Sequence, residues 1–182
     1  MTWIPAIIVI GLVGWFVLTY NVLVRLRNQF RNAWHQIDVQ LKRRYDLIPN
    51  LVEVVKDYMA YEQETLTRVI EARGAAISAK GAGAQGKAEN VLTESLKSLF
   101  AVVEKYPELK ANQNVAALQE ELTATENKIS FARQFYNDSV MTYNNKIQSI
   151  PSNIIASVFD FSQAEYFEAG EESQAVPRAD LR

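Results

Sequence analysis

The sequence predicts an all-α protein: an N-terminal single transmembrane helix that continues into an antiparallel helical bundle with long helices. Two observations carry this. Residues 3–24, WIPAIIVIGLVGWFVLTYNVLV, hold no charged side chain, and the later apolar stripes step by three and four residues, with no convincing two-residue alternation to suggest strands.

The first element is the anchor, residues 1–24. As a helix, residues 3–24 extend about 33 Å, enough to cross a hydrocarbon core of about 30 Å. Thirteen of these residues are Ile, Leu, Val or Phe, which favours insertion by roughly 4 to 8 kcal/mol before the polar residues are counted against it. The segment has no basic leader and no small-residue cleavage site, so it reads as an anchor and not as a signal peptide. Trp3 and Tyr20 lie near its ends, where aromatic belts form. Arg25, Arg27 and Arg31 follow it as a membrane-interface basic cluster, and no Lys or Arg precedes it. The positive-inside rule then puts the N-terminus outside and the bundle in the cytoplasm.

The bundle is expected over residues 25–160. Phe30, Ala33, Ile37, Leu41, Arg44, Ile48, Val52, Val55, Met59, Glu62, Leu66 and Val69 mark one stripe that keeps its phase, and the simplest reading is a single helix from residue 26 to 80. Pro49 either bends this rod or, with Asp46 as N-cap, opens a new helix; the unbroken stripe favours the bend. A second stripe runs through Leu92, Leu96, Leu99, Val103 and Tyr106 and ends at Pro107. A third, nearly heptad like a coiled coil, runs from Val115 to Ile150 and ends at Pro151. After Pro107 two arrangements are open, in which the last long helix either reverses into a three-helix bundle or runs on toward the membrane. Ser152 is the expected N-cap of a short final helix. Residues 161–182 read as a mobile C-terminal tail.

Between the first two stripes lies KGAGAQGK, a literal G-x-G-x-x-G. A dinucleotide fingerprint needs a strand before the glycines, and here a helical run precedes them. Residues 81–87 are therefore expected to be a helix hairpin bend, and no nucleotide is expected.

Composition removes other classes. Nineteen Lys+Arg against twenty-one Asp+Glu give a net charge of −2, without the basic field of a nucleic-acid binder. With no cysteine and one histidine, His35, thiolate sites are excluded and a His-based triad has one residue to draw on. A carboxylate-bridged metal bundle needs Glu-x-x-His, but Asn32 stands three residues before His35. No enzyme activity and no cofactor, catalytic or metal residue is expected.

Two clusters remain as candidate interaction or register sites. Lys42, Arg43 and Arg44 precede Tyr45, Asp46, Pro49 and Asn50. Lys42 and Arg43 fit a solvated face. Arg44 lies on the apolar stripe, where a lone charge is costly, so it should snorkel or meet a carboxylate from another helix. Glu62 and Arg73 pose the same question, and Glu126, Arg133 and Asp138 are candidate partners. The second cluster is the repeated pair Tyr136-Asn137 and Tyr143-Asn144, seven residues apart on one helix face. It reads first as tyrosines in a core with asparagines bonding neighbouring helices, and second as a ligand face.

At these residues the sequence resembles the LemA family of bacterial membrane proteins. The resemblance is carried by YNVLVRLRNQFRNAWHQIDVQLKRRYDLIPNLVEVVKDY (residues 20–58), YPELKANQNV (106–115) and LTATENKISFARQFYNDSVMTYNNKIQSIPSNIIA (122–156). It implies a single-pass anchor on an antiparallel bundle in the bacterial plasma (inner) membrane, and no enzymatic activity or cofactor. KRRYDLIPNLV and FARQFYND look like family motifs.

Two functional expectations follow. The first is a self-associating scaffold or membrane-organising protein, a homo-oligomer, because an 80 Å helix and a 54 Å helix by the rise per residue, both approximately, cannot cover each other and uncovered rows seek partners. The second is a monomeric membrane-tethered adaptor for another membrane protein or anionic lipid. Lys42 to Arg44 stand about 25 Å along the helix from the membrane, beyond a screening length of about 8 Å, so only Arg25, Arg27 and Arg31 suit lipid headgroups.

Overall fold

A computed structural model describes residues 3–59 and 61–167. Among these residues six helices follow one another: α1 (Trp3–Val55), α2 (Gln63–Ser78), α3 (Ala82–Val103), α4 (Pro107–Lys110), α5 (Gln113–Gln148) and α6 (Ser152–Val158). No strand occurs among the described residues, so the fold is all-α. The chain divides into two compact units. Among the described residues, one comprises residues 3–36 with Ala132–Glu165, the other Ile37–Phe131 with Tyr166 and Phe167. Both α1 and α5 contribute to each.

In the first unit α1 is long and apolar enough to cross a membrane. Residues 3–18 are exposed without interruption, and burial begins at Thr19 and Leu23. Beyond that point α5 runs antiparallel to α1: Tyr143 meets Phe30 at 4.9 Å between ring centroids, and Tyr136 meets Trp34 at 5.4 Å. Of the two arrangements open after Pro107, the last long helix is the one that runs toward the apolar segment. Leu23, Tyr143, Ile147, Ile155, Ala156 and Phe161 form this unit's core.

In the second unit α1 continues through Pro49 as one helix and ends at Val55. The expected rod to residue 80 is therefore interrupted. The Tyr58 and Met59 amides both donate to the Val55 carbonyl, the chain turns, and α2 begins at Gln63. The stripe kept its phase because Met59 and Leu66 enter the same core as Ile48 and Val55; periodicity reports the face a residue shows and not whether the helix between is continuous. Leu92, Leu96, Leu99 and Val103 of α3, Leu109 of α4, and Val115 and Leu122 of α5 complete that core.

The glycine stretch is a tighter junction than the expected bend over residues 81–87. Only Ala79 to Gly81 separate α2 from α3. Gly81 takes φ 86° at the N-cap of α3, a conformation that glycine adopts without the Cβ penalty, while Gly83 and Gly86 are helical. At the other end Asn112 accepts the Asn114 amide at 2.9 Å through Oδ1, capping α5. Ser152 is not the N-cap expected of it. It is the first residue of α6, and its hydroxyl donates to the carbonyls of Lys146 (2.7 Å) and Ser149 (3.0 Å), closing the end of α5. Of the expected tail, residues 161–167 form a non-helical segment with Phe161 and Phe167 buried; residues 168–182 lie outside the described residues.

Candidate functional site

The densest polar cluster is buried in the second unit and centred on Arg44, which is 2% exposed. Its guanidinium reaches Glu89 at 3.1 Å, Glu126 at 2.7 Å and the Thr93 hydroxyl at 2.9 Å. Glu89, also 2% exposed, accepts from the Tyr45 hydroxyl and from Gln85 Nε2 at 3.2 Å. Gln85 Nε2 also donates to the Tyr45 oxygen at 2.8 Å and the Ala76 carbonyl at 3.0 Å. Helices α1, α2, α3 and α5 thus meet through one network. Burial raises the Glu89 carboxyl above its ordinary range, while the Tyr45 hydrogen bond, the Arg44 charge and Gln85 pull it down. Burial, then the Glu89 hydrogen bond, raises the Tyr45 phenol strongly, so it stays protonated as a donor.

Sequence periodicity put Arg44 on the apolar face and Glu126 among its candidate partners. It missed Glu89, Gln85 and Thr93. A signal was present: Ala82, Gln85 and Glu89 extend the Leu92 stripe backward at helical spacing, and all three are buried.

The remaining residues of the cationic stretch play other parts. Lys42, Asp46, Pro49 and Asn50 are exposed. Arg43 is half exposed and pairs with Glu121 of α5. Pro49 has no amide to donate to the carbonyl four residues back, that of Tyr45; Arg73 Nε of α2 donates to that oxygen at 2.8 Å instead.

In the first unit the Tyr-Asn face holds the chain's own non-helical segment, residues 162–165. Asn144 makes a paired contact with Ala164, its Nδ2 donating to the carbonyl at 3.0 Å and its Oδ1 accepting the amide at 2.9 Å. The Tyr143 hydroxyl donates to the Ser162 carbonyl at 2.9 Å, and the Tyr136 hydroxyl to the Glu165 carbonyl at 2.8 Å. Burial, then the Glu165 charge, pushes the Tyr136 phenol up to about 12. Arg133 and Asn137 sit half-buried beside them.

Nearest the apolar segment, Arg27 lies over the Phe161 ring, 4.9 Å from its centroid, whereas Arg25 and Arg31 are exposed. Arg25 also lines a shallow groove with Asn28, Gln29, Asn32, Gln36 and Phe135.

These arrangements can bind and hold, but Arg44 and Glu89 are shut away from any substrate. No cluster of three or more metal-ligating side chains occurs among the described residues. The fold and sites define a class: a helical bundle built on a helix able to cross a membrane, with its buried polar groups used for packing. Residues 33–180 match the LemA family model, and the chain belongs to the LemA family. It is similar to Magnetosome protein MamQ 2 of Paramagnetospirillum magneticum, 24% identical over 91% of this chain and 70% of that relative. Magnetosome protein MamQ of Magnetospirillum gryphiswaldense is 25% identical over 89% of this chain and 70% of its own length. Protein LemA of Metamycoplasma hominis is 26% identical over 93% and 80%. None of these names states an enzymatic activity. With the apolar helix, they indicate a membrane-associated protein.

Proposed function

We propose that this protein is a single-pass adaptor of the bacterial plasma membrane, N-terminus outside and bundle in the cytoplasm, that engages another membrane-embedded protein beside its own anchor. The observation that carries this reading is the continuity of α1. The exposed apolar residues 3–18 pass without a linker into the packed part of the same helix, so a partner in the same bilayer meets the groove of Asn28, Gln29, Asn32 and Phe135 in a defined orientation.

Self-association is the second reading, and one observation favours it. Asn and Gln amides both donate and accept, so a row of them can pair with the same row of another copy. The apolar stripes lend it less support than the lengths of the two helices suggest. In each unit the stripes of α1 and α5 enter cores that close within the chain.

Particle mass in mild detergent separates the two, compared between the intact protein and Asn28→Leu/Asn32→Leu. A monomer that binds a co-expressed membrane protein through this face supports the adaptor. A defined homo-oligomer dissolved by the double substitution supports the second reading. A label at the C-terminus that reacts from outside intact cells would overturn the cytoplasmic placement of both.

A further inference from the structure

We infer that α6 is a second membrane-contacting element, whose outward face rests in the acyl and headgroup boundary beside the transmembrane helix. The inference rests on reading residues 3–24 as the anchor.

The position of α6 is set by ring contacts. Phe159, just past its end, lies 5.8 Å from Phe16 and 4.8 Å from Tyr20. Its inward residues Ile155 and Ala156 share a core with Leu23. Phe16 precedes the first charged residue, Arg25, by nine positions, or about 13 Å of helix. Whatever medium surrounds residues 16–23 therefore also surrounds the outer side of α6.

That outer side is apolar. Ile154 and Val158, one helical turn apart on α6, are 62% and 67% exposed; Ile150 in the turn before the helix is 85% exposed and Phe159 just after it 42%. No charged residue occurs between Lys146 and Asp160. In water this face would be an unexplained patch; beside the span it extends the exposed apolar surface of α1. Backbone chemistry agrees, because lipid cannot satisfy peptide groups. The amides of Asn153, Ile154, Phe159 and Phe161 donate to the carbonyls of Ser149, Pro151, Ile155 and Ala156. The flanking Lys146 and Asp160 limit the depth, so the helix lies in the interface and does not cross.

The absence of native cysteine makes the test direct. Full-length protein carrying Ile154→Cys, or Val158→Cys should the first fail to fold, is spin-labelled in phosphatidylcholine/phosphatidylglycerol vesicles. Collision with oxygen is compared with collision with a water-soluble nickel chelate. Val9→Cys marks the span and Ser98→Cys the aqueous surface. The expected oxygen-to-nickel ratio at residue 154 is several-fold above that at 98 and close to that at 9. A ratio like that at 98, with residue 9 in lipid, overturns the inference and leaves the anchor standing. A label shielded from both reagents and broadened by a neighbouring label, with the broadening lost on dilution by unlabelled protein, means that a second copy covers the face, and also overturns it. An aqueous reading at residue 9 removes the anchor and the inference together.

Discussion

Arg73 donates its Nε–H to the carbonyl of Tyr45 at 2.8 Å, the oxygen that Pro49 leaves without its helical donor. A helix carrying an internal proline is thereby repaired from a neighbouring helix, and α1 continues for six residues to Val55. Arg73→Met should cost about 1–2 kcal/mol by stranding a part-buried carbonyl. In a Pro49→Ala background the restored amide should absorb most of that loss. A double-mutant cycle by thermal unfolding in detergent checks this, and additive effects would show that Arg73 acts elsewhere.

Arg44→Met leaves Glu89 buried without its cation and should cost about 3–5 kcal/mol. Pairing it with Glu89→Leu removes both buried charges and should recover much of the loss, with Tyr45 and Gln85 then short of an acceptor. Unfolding measurements on the single and double variants decide. A double variant no better than Arg44→Met would mean that the network sets register in a way apolar packing cannot replace.

The Glu89 carboxyl titrates above its ordinary value of 4.5 because burial opposes its charge. A carboxyl raised in the folded state binds more protons there than in the unfolded chain. Its contribution to stability is therefore fullest below the unfolded value and is lost as pH rises through the folded one. Subtracting the pH profile of Glu89→Gln from that of the unsubstituted protein should leave a stability difference that falls with rising pH from about 4.5. A difference that rises instead would place the Arg44 attraction above desolvation.

Asn144→Ala removes both bonds to Ala164, and should free the non-helical segment more than it destabilises the bundle, at about 1–2 kcal/mol. Protease cleavage within residues 161–167 should accelerate while far-ultraviolet helicity holds. Tyr136→Phe removes one bond and should have the smaller effect. Unchanged cleavage in Asn144→Ala would show that Phe161 and Phe167 alone secure the segment.

The sequence by itself determined the helical class, the apolar segment, the buried faces of α1, α3 and α5, and the anomaly of Arg44. Each is legible because hydropathy and helical period are local properties. Arg44 stood out as a charge in an apolar row, and Glu126 as a carboxylate on another stripe. Only the tertiary structure decided that α1 stops at Val55, that Glu89 completes the Arg44 network, and that the Tyr-Asn face holds residues 162–165. No glycine or proline between residues 50 and 73 marks the first turn. Which carboxylate answers Arg44, and which backbone answers Asn144, depends on surfaces distant in sequence that come together only when the cores close.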